Sequence, residues 1–359
     1  MRPTKVIVRL GAIIKNLETA RRLAPASKIM AVIKANAYGH GAIEVARLIQ
    51  ARVPAFAVSF LDEAEQLRDA GITRPILILQ GIMGDADVAE AAARDFWLML
   101  HSRQQVDKVL HSNAKHPLRV WIKIDTGMHR LGLASSELDH VFDALSASAD
   151  VQQEMVLCTH LACSDERANP FTRQQVNEIR RYAAHRRQPV SIANSAAIMY
   201  WPETHAEWNR PGYMLYGNSP IESATAGAAK LVPAMTMTSG IMAIRHIAPG
   251  EGVGYGHDWV AKRQSKIGTI SIGYADGYPR HASNGTPVLV NGQRVPLVGR
   301  VSMDMISVDL TDLEKVEVGD PVELWGENLS VNEVAGCAGT IGYEILAGLT
   351  GRVPVSYEP

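Results

Sequence analysis

The chain is poor in cysteine, with three in 359 residues, and poor in aromatics, with Phe, Trp and Tyr at 6%. Cys158, Cys163 and Cys337 are odd in number and lack metal-ligand spacing, so they read as reduced thiols rather than a disulfide framework or a structural metal site. An excess of either charge is missing too. With 36 Lys and Arg against 37 Asp and Glu, and no block of like charge, nothing calls for a nucleic acid or an anionic membrane surface as partner. No apolar run approaches the roughly 18 residues of a membrane span. The opening "MRPTKVIVRLGA" lacks the apolar core and cleavage site of a secretory leader. These absences predict a cytoplasmic protein acting on a small molecule.

The length exceeds that of a usual single domain and predicts two. In the first two thirds, short apolar runs alternate with helical patterns. The strands are "KIMAVIKA", "AFAVSF", "PILILQ", "FWLML", "LRVWIKID", "EMVLCTHLA" and "PVSIANS"; the helices between them include "DEAEQLRDAG", "DADVAEAAAR" and "RQQVNEIRRYAAHRR". Such alternation specifies a parallel sheet, and seven strands favour a closed (β/α)8 barrel over an open sheet. The eighth strand falls near "EWNRPG", although "YMLYG" has strand character as well. From about residue 231 the texture changes to β-rich runs separated by Gly, Pro and Asn-Gly turns, with "NG" at 291–292 signalling a hairpin. The predicted architecture is therefore α/β followed by β: a barrel over residues 1–230 and an all-β domain over 231–359. The opening strand at about 5–10 is free to pack with the second domain.

Active sites of such barrels lie at the carboxyl ends of the strands. Lys34 follows the first strand in "AVIKANAYGHG", where Gly39 and Gly41 mark a tight turn before the helical "AIEVARLIQ". Arg130 follows the fifth strand, His160 the sixth, Asn194 and Ser195 the seventh, and Arg210 the eighth. Each has a plain structural explanation: a loop cation, a hydrogen-bonded core histidine, a helix N-cap for "AAIMYW". Their convergence on one rim argues for a site. Ser195 at a helix start, and Gly212 after Pro211, offer a hydroxyl and free backbone N–H groups to an anion. A lysine across the barrel mouth from a phosphate site suits pyridoxal 5′-phosphate held as a Schiff base.

Seven motifs, "VIKANAYGHG", "IDTGMHRLG", "NSAAI", "NRPGYMLYG", "VGYG", "GYADGYPR" and "VGRVSMDM", resemble those of the alanine racemases, in the same order over nearly the whole chain. The resemblance implies interconversion of L- and D-alanine, with Lys34 holding the cofactor and serving as base on one face. Tyr255 then serves as acid/base on the other face, delivered by the partner of a head-to-tail homodimer. It implies that Tyr38, His160, Ser195, Arg210, Gly212, Tyr213 and Tyr343 surround the cofactor. Arg210 faces its ring nitrogen, where a guanidinium can only donate and leaves the ring a weaker electron sink than a carboxylate would. Arg130 and the backbone N–H of Met303 bind the substrate carboxylate, with Asp304 adjacent. Lys123, placed on one strand face with Asp125, matches a position that is carbamylated in many members. Asp165, Tyr274, Arg280, Arg300 and Ile341 correspond to a narrow entrance. The implied roles are supply of D-alanine for peptidoglycan or catabolism of alanine. A racemase of broader specificity, admitting serine, is the main alternative. A basic amino-acid decarboxylase or a non-catalytic cofactor carrier fits less well, because Arg210 and the "VGYG" domain depart from them.

Overall fold

A computed structural model describes residues 2–112, 114, 116–221 and 230–359. Strand β1 (Lys5–Arg9) alternates exposed and buried residues and lies between two strands of the C-terminal sheet. The opening strand thus belongs to the second domain's sheet rather than to the barrel. The helix Leu10–Leu23 then leads into eight parallel strands: β2 (Lys28–Val32), β3 (Ala55–Val58), β4 (Ile76–Ile78), β5 (Phe96–Leu100), β6 (Val120–Lys123), β7 (Val156–Cys158), β8 (Val190–Ser191) and β9 (Trp208–Asn209). They close because β9 pairs with β2, Lys28 opposite Trp208. Runs such as "FWLML" are buried on both faces, against the outer helices and against the barrel interior, which is why they show no alternation. The eighth strand has only two residues, and "YMLYG" forms a short 3-10 turn at Tyr213–Tyr216.

The barrel interior is plugged from its amino-terminal end. Trp97, Trp121 and Trp208 meet with ring centroids 5.6–6.4 Å apart. Lys123, two residues beyond Trp121 on the same strand, rises above the plug, so the upper barrel is left open at the strand carboxyl ends.

The C-terminal domain is mostly strand. The 13-residue β10 (Met235–Ile247) pairs with β1 along its first half and bulges between Ile241 and Ala243. The two-residue strands β11 (Gly252–Val253) and β12 (Trp259–Val260) pair with each other, and β13 (Ser265–Ile270) lies against β10. The hairpin β14 (Pro287–Val290) and β15 (Gln293–Pro296) turns through Asn291 and Gly292, both at positive φ (51° and 75°), as its Asn-Gly signature requires. Strands β16 (Ile306–Asp309), β17 (Pro321–Trp325) and β18 (Val355–Glu358) complete the sheet. Two short helices, Val331–Cys337 and Gly342–Ala347, depart from the all-strand expectation, and the second lies against the barrel rim beside Lys34. The predicted boundary at 230/231 abuts residues 222–229, which lie outside the described residues. Among the described residues no helix is long and apolar enough to cross a membrane, and no cluster of His, Cys, Asp or Glu could hold a metal.

Candidate active site

Lys34 stands two residues past β2, and the four residues after it all take positive φ, from 50° to 54°. A left-handed turn of Ala35, Asn36, Ala37 and Tyr38 costs about 1–2 kcal/mol per residue for L-amino acids, so neighbours must hold it. The Glu63 carboxylate accepts the Ala35 N–H at 2.6 Å, and Asn36 Oδ1 accepts the Ala42 N–H at 2.9 Å. A Cβ at Gly39 would run into the Leu346 carbonyl, and one at Gly41 into the Tyr357 hydroxyl. The second domain therefore packs directly on this turn, which sends Lys34 and Tyr38 into one cavity.

That cavity measures about 480 Å³ and collects residues from every part of the rim that the strand-end argument singled out. Lys34, Tyr38, Lys123, Arg130, His160, Ser195, Arg210, Gly212, Tyr213, Ile341 and Tyr343 all line it. Four of these are cations, against the single lining carboxylate of Glu344. Burial, with Arg130 adding repulsion, lowers the Lys34 pKa, and Glu63 opposes the shift. Burial pushes Lys123 down to about 8, helped by Arg210, Arg130 and Lys34. His160 is held well below its ordinary value, first by burial and then by Arg210. Its Nδ1 lies 3.4 Å from an Arg210 nitrogen that can only donate, so Nδ1 is the unprotonated nitrogen of a neutral ring.

Arg210 is buried and anchored three ways, to the Ser191 hydroxyl at 2.6 Å, the Thr159 carbonyl at 2.7 Å and the Ile192 carbonyl at 3.3 Å. The same cavity holds an anion corner. Ser195 Oγ accepts the N–H groups of Gly212 at 3.0 Å and Met214 at 3.2 Å, and a Cβ at Gly212 would lie 2.6 Å from the Tyr38 hydroxyl. Tyr343 stacks on Tyr213 at 3.7 Å, and the Tyr213 hydroxyl donates to Asn332 Oδ1 at 2.6 Å. The Ser195 hydroxyl, which accepts two N–H groups and keeps its own proton to donate, and the hydroxyls of Tyr38 and Tyr343 in the same lining, together with the unbalanced cations, fit a phosphorylated anionic cofactor such as pyridoxal 5′-phosphate.

Two local readings change. Ser195 is the first residue of the helix Ser195–Tyr200, and its N-cap is Asn194, whose side chain accepts the Ala197 N–H at 3.0 Å; the Ser195 hydroxyl is thereby left for the anion corner. Asp125 does not share a strand face with Lys123, because β6 ends at Lys123. The Asp125 carboxylate instead accepts from Gly127 N–H, His129 N–H and His129 Nδ1, each at 3.0 Å, and folds the loop that carries the exposed Arg130.

The second domain's residues lie elsewhere. Tyr255 is 68% exposed, on the Tyr255–His257 turn between β11 and β12, and does not line the cavity. Met303, Asp304, Tyr274, Arg280 and Arg300 are exposed as well. Arg300 pairs with Asp258 at 3.0 Å, and the two help line a hollow with Arg280. Arg352 pairs with Asp304 at 2.8 Å. Asp165 borders an adjoining cavity of about 380 Å³ that shares His160, Tyr213, Ile341 and Tyr343 with the main one. Asn332, Glu63 and Glu344 carry no signal in the sequence, because a lone Asn or Glu on a helix does not reveal which distant segment it meets: the Ala35 N–H for Glu63, and the barrel across the domain boundary for Asn332 and Glu344.

Residues 8–220 match the family described as "Alanine racemase, N-terminal domain", and residues 234–357 match "Alanine racemase, C-terminal domain". The chain is 45% identical to an alanine racemase of Chromohalobacter salexigens over 99% of its own length and 98% of that protein's. It is 44% identical to a catabolic alanine racemase of Pseudomonas putida over 99% of both chains. The crystal structure of the biosynthetic alanine racemase from Pseudomonas aeruginosa superposes with a TM-score of 0.96 at 44% identity, covering all of both chains. On two domain matches and full-length identity with a shared fold, the chain belongs to the alanine racemase family.

Proposed function

We propose that the chain interconverts L- and D-alanine with pyridoxal 5′-phosphate bound at Lys34, using Lys34 and Tyr255 of the partner subunit as acid/base groups on opposite faces of the substrate. The observation that carries this reading is one cavity holding a partly buried lysine, an anion corner and four cations against one carboxylate. Pyridoxal 5′-phosphate, when bound, supplies an electron-withdrawing ring that makes the substrate Cα–H acidic enough to exchange. Ser195, Tyr38 and Tyr343, with the N–H of Tyr213, would hold its phosphate, and the Gly212 N–H, which donates to Ser195 Oγ, would orient that hydroxyl. Arg210 would donate to the ring nitrogen, and His160 would border the ring as a neutral imidazole.

The lowered pKa of Lys34 leaves more neutral amine at Nζ near neutral pH, as a proton acceptor needs. Arg130 would pair with the substrate carboxylate, joined by the Met303 N–H from the partner subunit. Lys123, down at about 8, has a neutral fraction able to react with carbon dioxide. The amine adds to the carbon, one proton leaves, and the anion formed would hold Arg130; native mass measurement reads the added group. Asp165 and Ile341, with Tyr274, Arg280 and Arg300 of the partner subunit, would narrow the entrance to a small amino acid, and Asp304 would support the Met303 loop. We read the chain as two units, 1–230 and 231–359, in a head-to-tail homodimer.

The cofactor-loaded protein is to be incubated with L-alanine, and separately D-alanine, in heavy water. Convergence of both on an equal mixture with deuterium at Cα is expected. If neither enantiomer exchanges while serine does, the substrate is wrong; if nothing exchanges, the reaction class is. Dilution separates the dimer reading, since activity per chain must fall once dimers dissociate.

A further inference from the structure

His40 is fully buried and takes part in nothing described above. Its Nδ1 lies 2.8 Å from the Tyr38 carbonyl oxygen and 3.1 Å from that of Ala37. Both partners only accept, so Nδ1 carries the proton and Nε2 is bare in the neutral ring. Among the described residues Nε2 has no partner. The ring stacks on Tyr216 at 4.5 Å, and the Tyr216 hydroxyl donates to the carbonyl of Val32, the last residue of β2, at 2.9 Å. Strand end, aromatic, imidazole and left-handed turn thus form one packed unit. Burial pushes the His40 pKa down to about 4, so its ring stays neutral and its single donor stays at Nδ1 through physiological pH.

The turn needs such a clasp. Glu63 and Asn36 hold its start and its exit to the next helix, and His40 grips the carbonyls of its last two residues. Tyr38 is the last of them, and its hydroxyl must reach Gly212 at the anion corner. An αL residue released from its partners relaxes toward αR, which would swing Tyr38 away from the corner and Lys34 with it.

We propose that His40 is a positioning residue for the cofactor site: by donating Nδ1–H to the Ala37 and Tyr38 carbonyls it holds the left-handed turn that aims Lys34 and Tyr38 into one cavity. The proposal rests on the reading of Lys34 and Tyr38 as cofactor-binding residues.

Titration of cofactor-free protein with pyridoxal 5′-phosphate, followed by the absorbance of its linkage to Lys34, tests it in the full chain. His40→Leu keeps bulk and removes the donor; His40→Asn places an amide N–H at the reach of Nδ1. Leu should weaken cofactor affinity about tenfold or more, and Asn should restore most of it, since Leu leaves the Tyr38 carbonyl without its donor, a penalty of that order, while the Ala37 carbonyl keeps the His40 backbone N–H at 3.1 Å. Equal affinity in wild type and Leu, or Leu and Asn equally weak, overturns the proposal. Nitrogen-15 NMR of the wild-type imidazole decides independently of any variant's folding. A neutral Nδ1–H ring between pH 6 and 8 (about the physiological span) supports the clasp; an Nε2–H or charged ring overturns it. Wild type that binds no cofactor would sink the reading of Lys34, with the NMR result still deciding the grip on the turn.

Discussion

The barrel rim carries four of the seven family-matched motifs and the second domain three, and the two treat their side chains in opposite ways. On the rim Arg210 is 6% exposed with three anchors, Lys123 is 9% exposed, and the Lys34 turn is clamped by Glu63 and packed on by the second domain. On the other face Tyr255 is 68% and Met303 52% exposed. Apart from the exposed Arg130, the rim is held in place by its own chain, whereas the residues proposed for the other half of the site stand in solvent. A large phenol left in water is what one expects when a second copy is to cover it, since isologous contact delivers the same face to both sites at once.

The hardest way to break this comparison is to put the two halves on different chains. Lys34→Ala and Tyr255→Phe should each lose activity by about 10²–10⁴-fold or more, the range of a positioned acid/base group. Mixed and reassociated in equal amounts, half the dimers carry one intact site, so about a quarter of wild-type activity should return. Racemisation assays before and after mixing read this directly. No recovery, with mixed dimers confirmed by mass, would place Tyr255 and Lys34 in the same chain's site.

The rim was legible in the sequence because its physics is local. A strand buried on both faces is a continuous apolar run, and a polar residue at its end is conspicuous, hence Lys34, Arg130, His160 and Arg210. The eighth strand was faint because two residues, Trp208 and Asn209, carry no pattern. The left-handed turn was illegible: Ala, Asn and Tyr do not announce positive φ as glycine does, and the hydrogen bonds that hold it come from Glu63 and His40. Asp125 departs from the alternation of β6 because that strand ends at Lys123, and in the loop beyond it the carboxylate caps backbone N–H groups. The role proposed for Tyr255 rests on motif resemblance alone, since periodicity within one chain carries no information about a partner.

A smaller effect sharpens the burial side of the contrast. Burial pushes Lys123 down to about 8 in the folded chain from 10.5 free, so between these values the unfolded state binds more protons and stability rises with pH. Below pH 8 the full penalty applies, on the order of 3 kcal/mol. Lys123→Met should therefore raise stability in carbonate-free buffer at pH 7, and the advantage should vanish as pH climbs through 8 to 10.5. Urea midpoints at three pH values measure it. A constant difference would mean that Lys123 is already neutral, or carbamylated, in the protein as isolated.

The mildest change isolates the anion corner. In Gly212→Ala the new Cβ would lie 2.6 Å from the Tyr38 hydroxyl and 3.4 Å from Val32 Cβ. The phenol has little room to yield, with Tyr216 at 5.0 Å and Tyr343 at 6.0 Å between ring centroids. Overpacking of this kind costs about 1–3 kcal/mol, so cofactor affinity should fall about tenfold while the exposed face of the second domain is untouched. Tyr255→Phe is the matched control: it removes an exposed hydroxyl that does not line the cavity of its own chain and is proposed to meet the substrate rather than the phosphate, so it should leave cofactor affinity within about twofold. If both variants weaken the cofactor equally, the division between a finished rim and an unfinished face fails, because Tyr255 would then be part of the cofactor's own enclosure.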